Sequence, residues 1–157
     1  MVMTVFIFWF LIGCVAGLRA FTAPAVVCWG ARFGWLHIAG TSLGFMDHTV
    51  TLIIFTVLAL IELTTDKLPK TPSRTAPPQL ITRILCGCLS GSALAVSSGG
   101  TILVGAFAGA VGAVMATFAG YYIRRALVTQ SHLPDLVVAL LEDLLTISGG
   151  LFLISRL

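Results

Sequence analysis

The sequence predicts an all-α membrane protein, a compact bundle of about six transmembrane helices. Three observations predict it. Of the 157 residues, 58% are hydrophobic and only 10% charged, against about 45–50% and about 25% in soluble domains. The mean hydropathy is +1.06. A soluble globule of this size buries only about 70% of the surface that its unfolded chain exposes, so this much apolar surface has no place in water. Finally, the few charges gather between apolar runs of near-membrane length. A soluble enzyme, a disordered chain and a disulfide scaffold are thereby excluded, and a net charge of +3 is too small to argue for a nucleic-acid partner.

A span needs about 20 apolar residues. The first candidate runs from Val2 to Leu18 and is closed by Arg19. Leu11-Ile12-Gly13-Cys14 has the look of a lipobox, but no Lys or Arg precedes the run, as a secretory signal requires, so the segment reads as a span. The second, Thr22 to Ile38, opens with Pro24 in its first turn, where a missing N–H costs little. It holds Arg32 in its interior, which makes it either a span against a polar interior or a re-entrant segment. The third, from about His48 to Thr65, is bracketed by Asp47 and Asp66 and carries Glu62.

Residues 66–79 hold four of the six prolines among Lys, Arg, Ser and Thr and read as an aqueous connector. It separates a first three-helix half, residues 1–65, from a second, residues 80–157. Ser97-Ser98-Gly99-Gly100 breaks the uncharged stretch between Arg83 and Arg124, because adjacent glycines disfavour helix. That yields a fourth span near 80–97 and a fifth near 101–123. The sixth, near Leu133 to Ile154, begins beside Pro134 and carries Glu142 and Asp143. Basic residues collect in cytoplasmic loops. Placing residues 66–83 inside also places Arg19 and Arg124-Arg125 inside, with both termini outside and Arg156 as the single exception.

The halves resemble each other. Gly13-Cys-x-x-Gly17 matches Gly87-Cys-x-x-Gly91, and Val57 to Glu62 matches Val137 to Glu142. Three spans per half would make this an inverted-topology repeat, as in many secondary transporters. Small residues four apart recur at Gly13/Gly17, Gly30/Gly34, Gly40/Gly44, Gly87/Gly91, Gly105/Gly109 and Ala116/Gly120. Such spacing lets helices approach closely in lipid, either within the bundle or across a homo-oligomer seam.

Ionisable residues inside a membrane are costly and mark function by default. The candidates are Arg32, Glu62, Glu142 and Asp143, with Ser97, Ser98, Gly99, Gly100 and Thr101 as a polar break beside them. Arg19, Lys67, Arg74, Arg124 and Arg125 lie nearer the edges, where lipid headgroups would meet them. Glu142 and Asp143, being adjacent, point about 100° apart on a helix. Structurally, Arg32 would pair with Glu142 or Glu62; functionally, the charges would line a path. Cys14, Cys28, Cys86 and Cys88 lack metal-site spacing. His37, His48 and His132 stand near predicted interfaces, and no hydrolase or metalloprotease motif occurs. No catalytic residue, metal or cofactor is therefore expected.

The Gly17-Leu-Arg-Ala-Phe-Thr-Ala-Pro24 stretch, the Glu62 to Lys67 segment running into Pro69, and Pro72-Ser-Arg-Thr75 together resemble a family of small bacterial integral membrane proteins known only as a domain of unknown function. The resemblance covers most of the chain, and its most specific part is the string from Asp66 to Thr75. It implies a bacterial inner-membrane location and no substrate, activity or cofactor. The expectation is a transporter or channel for a small solute or ion, lined by the four intramembrane charges and the Ser97–Thr101 break. The alternative is a membrane interaction or assembly protein whose charges pair structurally. A third reading, an intramembrane lipid-modifying enzyme, would use the Arg74 loop to hold phosphate.

Overall fold

The computed structural model describes residues 2–67, 74–130 and 134–157. Among these the chain forms six α-helices and no strand: α1 (Val2–Leu18), α2 (Thr22–Arg32), α3 (Thr49–Thr65), α4 (Pro77–Ser97), α5 (Ile102–Gln130) and α6 (Asp135–Ile154), with a 3-10 turn at Gly44–Asp47. Helices α4, α5 and α6 are long and apolar enough to cross a membrane, whereas α1 and α3 are shorter apolar helices. Lys70, Pro72, Ser73 and His132 lie outside the described residues.

The second element corrects the sequence reading. Helix α2 has 11 residues and rises about 16 Å, roughly half of a hydrocarbon core about 30 Å thick. It stops at Arg32 and does not run on to Ile38. Gly34 takes a left-handed φ of +75°, the Gly34 amide bonds the Ala31 carbonyl, and the Trp35 amide reaches back to Gly30. This is a Schellman stop. The chain then continues as a loop in which Leu36, Ile38 and Met46 are buried, and the His37 amide donates to Ser97 Oγ at 2.9 Å. Helix α5 departs in the other direction, continuing past Arg124-Arg125 to Gln130.

Helices α1, α4 and α5 form the centre, packed backbone to backbone. A Cβ added at Gly13 would fall on the Gly109 carbonyl, one at Gly17 on the Ala113 carbonyl, and one at Gly91 on the Gly105 carbonyl. Gly109 in turn lies against Gly87. These contacts set α5 parallel to α1 and antiparallel to α4. The two Gly-Cys-x-x-Gly motifs, on antiparallel helices, therefore both meet α5 at Gly109. Their following elements, α2 and α5, differ too much in length to match as wholes. In lipid, where no hydrophobic drive separates helices from their solvent, such close approach is what holds the trio together.

Helix α2 lies in the cradle this trio leaves, with Ala23, Val27 and Cys28 fully buried. Helix α6 runs parallel to it: Gly150 faces Val26, and Ile154 Cγ2 occupies the notch at Gly30. Helix α3 packs chiefly on α2 and buries only Leu52, Ala59 and Glu62. The small-residue spacings within the helices are thus consumed inside the chain.

Gly109→Ala should lower the unfolding temperature in detergent sharply, because overpacking costs about 1–3 kcal/mol and here the obstruction is backbone. Gly149→Ala, where nothing lies within 4 Å, should leave it unchanged or raise it, since Ala exceeds Gly in helix propensity by about 1 kcal/mol. Equal loss in both variants would contradict the proposed packing.

Candidate functional site

The reversal between α1 and α2 lies beside Thr117, near the middle of α5 rather than at its end. A helix that ends there leaves carbonyls without intrahelical partners, and one that begins there leaves amides. Away from water each such group costs free energy unless something bonds it. The Gly17 carbonyl accepts from Arg83 Nη1 at 2.7 Å and from Thr117 Oγ1 at 3.1 Å. The Ala20 and Phe21 amides, which lead into α2, both donate to the Glu62 carboxylate, at 2.7 and 2.9 Å. A cation thus sits at one helix C-terminus and an anion at the next N-terminus, each favoured by the helix dipole. Arg83 and Glu62 face each other at 3.6 Å.

Two chains of charge grow from this point. In one, Arg83 also approaches Asp66 at 4.0 Å, Asp66 bonds Arg19, Arg19 meets Asp143 at 2.6 Å, and Asp143 meets Lys67 at 2.9 Å. The Arg19 side chain is 0% exposed. In the other, Arg74 grips Glu142 with two bonds of 2.5 and 2.9 Å. Arg124 reaches Glu142 at 3.7 Å and grips Asp135 with two bonds of 2.8 Å. Gly120 makes room for Arg74, since a Cβ there would strike Arg74 Nη1 at 2.8 Å. Adjacent on α6, Glu142 serves one chain and Asp143 the other, as their angular separation requires.

The cluster is balanced. Arg19, Lys67, Arg74, Arg83 and Arg124 stand against Glu62, Asp66, Asp135, Glu142 and Asp143, which are five of the six acidic residues in the sequence. Buried charges are tolerable only when paired in this way. The match is electrostatic rather than fully directional. The Arg19–Asp143 approach is short but off the hydrogen-bond axis, and Arg19 Nε and Arg83 Nε find no acceptor.

The remaining candidates lie elsewhere. Arg32, expected beside Glu62 or Glu142, ends α2 exposed and has no acidic partner among the described residues. The cations that face those carboxylates are Arg83, Arg74 and Arg124. Arg19 and Arg74, expected at headgroups, are buried in ion pairs; Lys67 and Arg124 are partly buried in theirs, and Arg125 is exposed. Ser97, Ser98, Gly99, Gly100 and Thr101 form the α4–α5 turn at the opposite end of the bundle. Gly99 has φ +76°, Gly100 donates to the Ala95 carbonyl and Gly99 to Val96, a second Schellman stop. Ser98 Oγ bonds back to Leu94 and accepts from Trp9 Nε1 at 3.1 Å, and the Trp9 ring covers Gly100.

Asp66, Arg83 and Asp135 were missed as members of the cluster. One signal was available: Glu62 and Asp66 are four apart and share a helix face, so a span end carrying both needs cations opposite. A model of the family described as Domain of unknown function (DUF4126) matches residues 7–155. No curated protein and no solved structure gives a match.

Arg74→Met should cost about 3–5 kcal/mol, the usual loss when one member of a buried pair is removed. Adding Glu142→Leu should recover part of that loss, a coupling that a double-mutant cycle by thermal or chemical unfolding measures. Arg125→Gln, outside the network, should stay within about 0.5 kcal/mol. Additive losses at 74 and 142 would show that the pair contributes nothing.

Proposed function

The chain belongs to the family described as Domain of unknown function (DUF4126), and from its geometry we propose that it is a non-transporting membrane protein, an interaction or assembly module whose internal charges are a structural clasp. The observation that carries this is the balanced cluster. Each of its carboxylates already faces a cation, so no carboxylate of the cluster stands free to receive a solute or carry a proton. The Ser97–Thr101 turn, expected to join the charges along one path, sits at the other end of the bundle, capped by its own backbone and by Trp9.

What such a module offers a partner is the outward faces of α3 and α6. Leu60 and Ile61 on the first, and Leu140, Leu141, Leu144 and Leu145 on the second, are more than half exposed. A second copy of the chain would use the same faces, because the glycine seams are occupied internally. Lys67, Arg74, Arg83, Arg124 and Arg125 gather at one end, which supports a cytoplasmic placement of that end in an inner membrane.

Native Cys86 tests the clasp without disturbing it. It is buried and lies one turn along α4 from Arg83. In proteoliposomes, with Cys14, Cys28 and Cys88 replaced by Ala, a small water-soluble thiol reagent should leave Cys86 unlabelled while labelling an added Thr41→Cys in the exposed loop. Rapid labelling of Cys86 in folded protein would mean that water reaches the cluster, and would restore the transporter reading.

A further inference from the structure

Helices α3 and α6 both lean on α2, leaving a lateral groove between them with α2 as its floor. The groove encloses about 300 Å³ and is lined by apolar side chains, among them Val26, Trp29, Ala59, Leu63 and Leu151. That volume is at the lower end of the range of about 300–1,000 Å³ typical of small-molecule sites. None of the clustered charges lines it. It opens sideways, at the depth of the apolar helices, where the surrounding solvent is hydrocarbon.

One end of the groove has a different chemistry. Trp29 and Phe33 line it there, and the rings of Trp29, Phe33 and Trp35 follow one another at centroid separations of 5.5 and 5.2 Å. All three are at least one-third exposed, and Trp29 Nε1 donates to Thr56 Oγ1 at 3.2 Å. Exposed aromatic rings with a polar edge belong at the headgroup level of a bilayer. Arg32 lies between Trp29 and Phe33 in the chain and has no acidic partner among the described residues. Arg156 comes to the same end, because Ile154 packs into Gly30 at the last turn of α2. It lies over the Phe152 ring at 5.0 Å and likewise meets no carboxylate among the described residues. Five of the chain's basic residues are neutralised in the cluster; these two are not, and both lie at the end of the molecule that carries the aromatic rings, beside the groove's own lining. Asp47, the acid left outside the cluster, sits in the 3-10 turn before α3 and pairs with neither.

We propose that this groove is a binding site for an anionic phospholipid, one acyl chain lying between α3 and α6 on the floor of α2 and the phosphate facing Arg32 and Arg156. Apolar burial supplies adhesion that any phospholipid would gain, and the two cations supply the discrimination in favour of a net-negative headgroup. A planar guanidinium can fork two phosphate oxygens, which an ammonium cannot.

The test uses Trp29 as its own reporter. In a Trp9→Phe, Trp35→Phe background reconstituted in bilayers, phospholipids brominated on the acyl chain quench Trp29 on contact. Brominated phosphatidylglycerol should quench at lower mole fraction than brominated phosphatidylcholine, by about fivefold for each cation engaged. Arg32→Gln with Arg156→Gln should bring the two lipids level while the unfolding temperature holds. Ala59→Phe, which fills the groove, should weaken quenching by both. Equal quenching in the parent protein, or a preference that survives both arginine substitutions, overturns the proposal. Absence of quenching by either lipid would assign the groove to a second copy or another protein, and overturns it equally. Native mass spectrometry of the wild-type chain against the double arginine variant reads the same preference as retained lipid adducts, should the tryptophan background fail to fold.

Discussion

A chain reversal inside an apolar bundle is the constraint from which the rest follows. Hydrocarbon offers no water to backbone groups left open at a helix end, and the turn between α1 and α2 leaves such groups buried among its neighbours. The Gly17 carbonyl needs a donor, and Arg83 with Thr117 provides it; the amides at Ala20 and Phe21 need an acceptor, and Glu62 provides it. Once a guanidinium and a carboxylate are buried, each calls for compensation in turn. The sequence of partners from Arg83 through Asp66, Arg19 and Asp143 to Lys67 is that demand carried outward until it reaches partly exposed side chains. Charge in the interior is thus a consequence of topology.

The glycines serve the same constraint from the other side. Gly13, Gly87 and Gly109 bring three helix backbones to one level, which leaves room for a half-length helix beside them. Gly120 continues that logic beyond the close-packed zone, where the missing side chain is filled by Arg74 arriving from the connector. Close packing and charge pairing are therefore parts of one arrangement: bulk added on α5 would press on the backbone of α4 at Gly109, on that of α1 at Gly112 and on an ion pair at Gly120.

Much of the helical order was legible. Arg19, Asp66 and the Ser97–Gly100 break each mark a real helix end, because charges and paired glycines are disfavoured in apolar helix interiors; α6 keeps both, Glu142-Asp143 and Gly149-Gly150, without breaking. Depth was not legible. Arg19 stands at a boundary in the sequence and Arg32 in the middle of an apolar run, so hydropathy places the first at the surface and the second inside. The structure reverses them, since a boundary in sequence is not a boundary in depth when the next helix goes only halfway. Arg74 was hidden for another reason. Its surroundings in the chain are prolines and hydroxyls, and its partner Glu142 is 68 residues away, a contact that no local pattern encodes. Adjacent Glu142 and Asp143 could be assigned divergent directions from helical geometry alone, but not their partners.

The wiring of the clasp also orders its own construction. Arg19 is made with the first helix, whereas Asp143 arrives with the last; at about 5–20 residues per second the interval is about 6–25 s. Through that time the reversal gains Glu62 and Asp66, then Arg83 and Thr117, but Arg19 still lacks the second of its two carboxylates. The terminal helix acts as a keystone: its arrival completes the neutralisation of a charge laid down at the start. A nascent or truncated chain lacking α6 would hold an incompletely compensated guanidinium in the bilayer, the kind of mark by which quality-control proteases distinguish an unfinished membrane protein from a finished one.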